Sequence, residues 1–173
     1  MIGPKRISIL STFLLLTFSV ASTSLASLIE DGWTAYEQKD YAKAIEFFQS
    51  AADNEDRAGY YALSLIYGMG EGVAVDIEKS HKLLTKAAEL ELVDAQVDLA
   101  YDYLSGYEVD QDLASAIKWF KLAGEQEDPR ALFELGHFHY HGTGVERISK
   151  KRFAFINPLP KKDRPTLNSL SDD

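Results

Sequence analysis

Cysteine is absent from all 173 residues of the chain. Its absence excludes disulfide bonds, thiolate zinc sites, a cysteine nucleophile and an N-terminal cysteine that carries a lipid. Packing alone must therefore hold the fold, even in an oxidising compartment. The composition allows this, because 46% hydrophobic and 26% charged residues are typical of a chain that folds around a core.

Basic residues are scarce through the main part of the chain. Residues 27–145 carry 23 Asp and Glu against 9 Lys and Arg, whereas residues 146–173 carry 4 against 7. This acidic body repels phosphate backbones and anionic lipid headgroups. Neither nucleic acid nor a membrane surface is therefore an expected partner. A neutral or basic protein or peptide fits better.

No hydrophobic run is long enough to cross a bilayer. The longest extends from Ile7 to Val20, which is short of the roughly 20 residues that a spanning helix needs. Lys5 and Arg6 precede it, and Ser24-Leu25-Ala26 follows it, which is the pattern of an export signal. We predict a signal peptide over 1–26, cleaved after Ala26 or alternatively after Ala21, and a periplasmic or secreted protein without stable membrane insertion. An uncleaved anchor is the alternative.

Motifs of catalysis are also missing. The chain has no Gly-x-Ser-x-Gly, phosphate loop or His-Glu-x-x-His, and the adjacent Ser80 and His81 point apart on a helix. We therefore predict no enzyme, no catalytic residue and no cofactor. Glu134, His137 and His141 share one helical face and could hold zinc or copper, but no second helix supplies further ligands, so no metal is predicted.

A period of 36 residues is what the sequence does contain. Several slots recur at this step: Asp40, Asp76, Asp112; Ala44, Ser80, Ala116; Phe48, Leu84, Phe120; Ala51, Ala87, Ala123; Leu63, Leu99, Leu135; and Gly70, Gly106, Gly142. Within each unit the apolar residues follow the helical period. The glycines suit a turn through positive φ, and the aspartates suit helix caps, so each unit is predicted to be two helices joined by a tight loop.

The loop sequences resemble a known family. Tyr67-Gly-Met-Gly-Glu-Gly-Val73 and Tyr140-His-Gly-Thr-Gly-Val145 are similar to the signature of Sel1-like repeats, which are related to tetratricopeptide repeats. The middle copy departs at Tyr107 and Glu108. The resemblance implies an all-α, right-handed α-α superhelix, a solenoid of helical hairpins over residues 27–145 with units at 27–58, 59–94, 95–130 and 131–145, the last incomplete.

The first unit has a shorter spacing, because Gly32 and Ala44 lie 12 residues apart where Ser64 and Ser80 lie 16 apart. It resembles a plain tetratricopeptide repeat. After Val145 the period fails, and residues 146–173 are predicted to be a basic, proline-containing, disordered tail. Exposed apolar surface is then expected at the last helix, on Leu132, Phe133, Leu135 and Phe138. Three explanations stay open: residues 153–156 fold back as a cap, the chain self-associates, or it is truncated from a longer array.

The resemblance also implies a binding site, because in tetratricopeptide-like solenoids the first helix of each unit lines a concave groove. Carried over position by position, the partner-binding groove comprises Trp33, Tyr36, Tyr61, Leu65, Met69, Val97, Tyr101, Phe133, His137, Tyr140 and His141. Aromatic and methionine side chains suit a peptide ligand. The competing interpretation is that some of these residues are core between neighbouring units.

The expected function is that of an exported adaptor that binds a protein or peptide. One alternative is a cell-envelope enzyme or lactam-binding protein of the lactamase-like Sel1 type, although that type is rich in cysteine. The other is a truncated repeat fragment without independent function.

Overall fold

The computed structural model describes residues 25–106 and 109–144. Within these residues the chain forms helices and no strands, as the all-α prediction requires. Helix α1 covers residues 25–37, and six helices of 13 residues each follow: α2 Tyr41–Asp53, α3 Arg57–Met69, α4 Ile77–Glu89, α5 Val93–Ser105, α6 Leu113–Glu125 and α7 Pro129–His141. We call α1, α3, α5 and α7 the first helices, and α2, α4 and α6 the second helices. No helix in the described ranges combines the length and apolarity needed to span a bilayer.

The chain divides into two compact units, residues 1–86 and 87–173, with the boundary inside α4. The predicted signal peptide falls almost wholly outside the described residues, and so does the predicted tail. The described part of the first unit is 25–86, and that of the second is 87–106 and 109–144.

Phe48 of α2 is the centre of the first unit's core. Its side chain is fully buried among Ala35, Ala44, Leu63 and Ile66. A Cβ on Gly32 would collide with the Phe48 ring, so α1 and α2 can approach this closely only because residue 32 has no side chain. By comparison with large-to-small core substitutions elsewhere, removing this ring would cost about 3–5 kcal/mol.

Small residues let α4 pack against α3 in the same unit. Ser80 is 6% exposed, and its hydroxyl donates to the backbone oxygen of Ser64 at 2.8 Å. A Cβ on Gly68 would lie 3.0 Å from the Ser80 Oγ. The small-residue slot of the repeat is thus explained by close backbone approach.

Phe120 of α6 plays the corresponding part in the second unit. It is fully buried, with the ring of Tyr101 at 5.1 Å and that of Phe138 at 6.0 Å. The expectation that Phe138 would be exposed is wrong: it is 3% exposed because its ring packs against Phe120. Leu132 and Phe133 are exposed as expected, and Leu135 is half-buried.

A buried glutamine lies in the second unit. Gln96 is 2% exposed; its amide donates to the Ala88 carbonyl at 3.2 Å and its oxygen accepts from Gln126 at 2.9 Å. Both ends of the Gln96 amide therefore have partners, which is what a buried amide requires.

The three predicted aspartate caps are confirmed. Asp40 accepts from the backbone N–H of Lys43 at 3.3 Å, Asp76 from that of Lys79 at 2.9 Å and Asp112 from that of Ala114 at 3.0 Å. Hydrogen bonds from the side chain and backbone of Ser115 hold the pKa of Asp112 below its usual value. These aspartates begin the second helices.

Glycine ends α3, α5 and α7, also as predicted. Gly70, Gly106 and Gly142 have φ of 74°, 69° and 69°, in the left-handed region. Between the first and second helices of the later pairs lie seven residues, 70–76 and 106–112, whereas only 38–40 separate α1 from α2. The connection between α1 and α2 is thus four residues shorter. This explains why Gly32 and Ala44 lie 12 residues apart where Ser64 and Ser80 lie 16 apart.

The turns that follow the second helices use glutamate where glycine is usual. Glu55, Glu91 and Glu127 have φ of 58°, 63° and 62°. After two of these turns an aspartate caps the next helix: Asp56 binds the Ala58 N–H and Asp128 the Arg130 N–H, at 2.7 and 2.9 Å. The equivalent Leu92 makes no side-chain cap.

Candidate partner-binding surfaces on the first helices

Two of the predicted groove residues in the first unit are tied to its core. Trp33 and Tyr36 are half-buried and pack against the Phe48 cluster, with the Trp33 ring 5.0 Å from that of Phe48. Tyr61 and Leu65 are also half-buried, and Met69 is 55% exposed. Of these five side chains, Met69 offers the largest exposed fraction to a partner.

Tyr36 is further anchored by the glycine loop after α3. Glu71 lies in this loop between Gly70 and Gly72. Hydrogen bonding to Glu71, burial and the charge of Glu71 together raise the pKa of Tyr36 to about 12. The Tyr36 ring also contacts that of Tyr41 at 5.6 Å, and a Cβ on Gly72 would collide with Tyr41. The loop therefore fixes Tyr36 in place.

Tyr101 is the corresponding exposed aromatic of the second unit. Its side chain is 39% exposed, and its hydroxyl donates to Glu134 of α7 at 3.0 Å. Burial of the phenol, followed by this hydrogen bond, raises the Tyr101 pKa. The ring rests edge-on against Phe120, so the core holds one side of Tyr101 while the other faces outward.

Val97 and Phe133 stand one repeat apart but differ sharply in exposure. Phe133 is 70% exposed, whereas Val97 is 1% exposed and belongs to the core, which corrects its placement in the groove. Helix α7 is tied to α5 by the Tyr101 and Glu134 pair, while no described helix follows α7. At this position the residue of α5 is therefore part of the core, whereas that of α7 is open to a partner.

Three further predicted residues gather at the end of α7. His137 and His141 are exposed with ring centroids 4.4 Å apart, and the half-buried Tyr140 lies 4.9 Å from His141. No group of three His, Asp or Glu side chains with the geometry of a metal site occurs in the described residues. These rings thus form an aromatic surface beside Phe133 on the same helix.

Cations are distributed unevenly between the two sets of helices. Every lysine inside a described helix lies on a second helix: Lys43, Lys79, Lys82, Lys86, Lys118 and Lys121. The first helices carry only Arg57 and Arg130. Arg130 bridges Asp94 at 2.7 Å and Asp128 at 2.8 Å, and these two carboxylates raise its pKa. Hydrogen bonding with Arg130 in turn holds the pKa of Asp128 below its usual value.

Ser115 and Lys118 have the spacing of a Ser-x-x-Lys motif, which the sequence reasoning overlooked. The Ser115 hydroxyl donates to Asp112 at 2.6 Å, and the Lys118 ammonium lies 5.2 Å from the centre of the Trp119 ring. Both side chains thus serve local packing and capping. The sequence reasoning also missed Glu71 and Glu134 as partners of tyrosines, because each pair joins different repeats and carries no local signal.

Comparison with known proteins agrees with this architecture. The Sel1 repeat model matches residues 19–56, 57–92, 93–128 and 129–155, which is most of the chain. A crystal structure of a Sel1 repeat protein from Oxalobacter formigenes superposes with a TM-score of 0.64 at 31% identity, covering 73% of this chain and 53% of that one. The fold therefore has the helical solenoid class of its neighbours.

Two curated relatives are named as regulators. Chitin synthase regulatory factor 3 of Schizosaccharomyces pombe is 27% identical over 122 residues, which is 67% of this chain and 13% of the relative. The exopolysaccharide production negative regulator of Rhizobium leguminosarum bv. viciae is 25% identical over 152 residues, 80% of this chain and 57% of the relative. The chain thus spans less than two thirds of each relative. With four matched repeats and the helical hairpins described above, the chain belongs to the Sel1 repeat family.

Proposed function

We propose that this chain is an exported, non-catalytic adaptor that binds a protein or peptide through exposed side chains on its first helices. One observation carries the proposal. Of the large apolar side chains that are exposed within described helices, all lie on first helices: Met69 on α3, Tyr101 on α5, and Leu132 and Phe133 on α7. Exposed apolar side chains gathered on one set of helices are typical of a protein-binding surface.

The relatives support binding over chemistry. Both curated relatives described above carry the names of regulators, and a regulator of another protein's activity commonly works by contact. Export is proposed from the residues before Ser27, and the acidic body favours a neutral or basic partner over nucleic acid. A labelled lactam that the purified mature chain hydrolyses or retains would contradict the non-catalytic part of the proposal.

Site-specific photo-cross-linking tests the proposal. A photoreactive phenylalanine analogue replaces Met69 or Phe133 on first helices, and the exposed Lys82 or Lys118 on second helices as matched controls. After illumination in the native compartment, adducts are identified by mass spectrometry. We expect one partner to be enriched at Met69 and Phe133 only. Equal adducts from all four positions, or none from the first helices, would show that partners do not bind through the first helices.

A further inference from the structure

The described part of the second unit lies in a strongly acidic stretch of the sequence. Residues 87–144 contain twelve Asp and Glu but only three Lys and Arg, whereas residues 25–86 contain eleven and six. Of the three cations in residues 87–144, Lys118 and Lys121 lie on α6, and Arg130 is engaged by Asp94 and Asp128. Acidic side chains thus clearly outnumber basic ones over residues 87–144.

The open apolar surface of this unit lies on the same two helices. Among the described residues of the unit, the exposed large hydrophobic side chains are Tyr101, Leu132 and Phe133, and all belong to α5 or α7. These helices also carry Asp94, Asp98, Asp102 and Glu134 and no lysine, whereas α6 carries Glu125 and two lysines. The exposed apolar side chains and these carboxylates thus lie on the same two helices.

Tyr101 and Glu134 hold an aromatic ring and a carboxylate side by side before any partner binds. The hydrogen bond of 3.0 Å between them joins α5 to α7, and Phe120 supports the tyrosine ring from below. A cation beside Glu134 would meet its carboxylate and the outward part of the ring together, and both attract ammonium and guanidinium groups. Since the two side chains are already held, binding loses little side-chain freedom.

We infer that the α5–α7 side of the second unit binds a basic peptide segment, with a Lys or Arg beside Glu134 and Tyr101 and a neighbouring large apolar side chain against Phe133. This inference rests on the proposed function and names its surface and the chemistry of the partner. Charge complementarity selects this occupant over a second copy of the chain, because two copies of a chain with a net charge of -9 repel each other.

Fluorescence anisotropy with three labelled decapeptides tests the inference on the full chain. One peptide combines Lys and Phe, the second Glu and Phe, and the third Lys and Ser. We expect the Lys and Phe peptide to bind at least about tenfold more tightly than either of the others, because the surface requires both charge and apolar contact. Equal binding of the Glu and Phe peptide would overturn the inference.

Variants locate the site on the unit. Phe133→Ala should weaken the Lys and Phe peptide about fivefold or more, since Phe133 is 70% exposed in the free protein and its loss leaves the core intact. Glu134→Gln keeps an acceptor for Tyr101 and should weaken the peptide about threefold, less so at high salt. Glu125→Gln on α6 removes the same charge elsewhere and should have no effect.

The remaining outcomes separate this inference from the proposed function. If Phe133→Ala turns a dimer into a monomer in sedimentation and leaves peptide affinity unchanged, the surface joins two copies and the inference is wrong. If photo-cross-linking at Phe133 captures a partner whose affinity is unaltered by Glu134→Gln at low salt, the adaptor function stands and the basic-peptide chemistry falls.

Discussion

Tyr36 of α1 interacts with Glu71, which lies in the glycine loop after α3. The contact joins two repeats of the first unit. It keeps the phenol protonated in the folded state to about pH 12, above the ordinary pKa of about 10.

A pH dependence of the unfolding free energy follows from the raised pKa of Tyr36. Because the folded pKa of Tyr36 is raised, its stabilising contribution is complete below pH 10 and is lost as the pH rises from 10 to about 12. The difference in unfolding free energy between wild type and Tyr36→Phe, measured by urea titration, should be constant from pH 7 to 10 and then shrink. Absorbance at 295 nm should show the late-titrating tyrosine move towards its ordinary pKa in Glu71→Gln but not in the control Glu46→Gln. An unchanged titration in Glu71→Gln would contradict the assignment.

Asp128 caps α7 and also pairs with Arg130. Its side chain is 9% exposed and accepts the backbone N–H groups of Arg130 and Ala131 at 2.9 and 3.1 Å. Asp128→Ala should lower the unfolding free energy by about 1–2 kcal/mol, as other cap removals do. Asp128→Asn keeps a capping oxygen and should lose less than half of that amount. Equal losses in the two variants would show that the ion pair, and not the cap, stabilises this end of α7.

Glu127 adopts a left-handed backbone that L-residues disfavour, with φ of 62°. Glu127→Gly should therefore raise the unfolding free energy by about 0.5–1 kcal/mol, because glycine relieves the conformational strain. The matched control is Lys121→Gly on the exposed side of α6, which should lower it by about 1 kcal/mol. Chemical denaturation measures both, and destabilisation by Glu127→Gly would argue against strain at this turn.

Processing is expected between Ala26 and Ser27. Intact-mass analysis of the chain recovered after expression in a secreting host should show the loss of residues 1–26, and Ala26→Phe should block or shift the cut because small residues are required there. Ser27→Thr serves as the control and should be processed normally. A product that retains Lys5 and Arg6, or that begins after Ala21, would contradict this site.

Features that depend on neighbouring residues could be predicted from the sequence. The caps at Asp40, Asp76 and Asp112 and the left-handed glycines satisfy local backbone demands, so a repeated slot identifies them. The left-handed Glu55, Glu91 and Glu127 recur at the same step of 36 and offered a signal, but glutamate is not a residue from which positive φ is expected.

Burial that depends on contacts between different helices could not be predicted from the sequence. Val97 and Phe133 occupy equivalent slots, yet Val97 is 1% exposed and Phe133 is 70% exposed. Burial of Phe138 likewise depends on its contact with Phe120 of α6. The groove assignment followed position within the repeat, and position alone does not say which members become core.

The central claim is that partners bind the first helices, and the affinity of the cross-linked partner tests it most directly. Isothermal titration compares wild type with the double variant Tyr101→Ala and Tyr140→Ala, with circular dichroism as a check on helicity and Lys118→Ala as a second-helix control. We predict that the double variant keeps its helicity and binds at least about tenfold more weakly, while the control is unaltered. Unchanged affinity in a fully helical double variant would contradict the account.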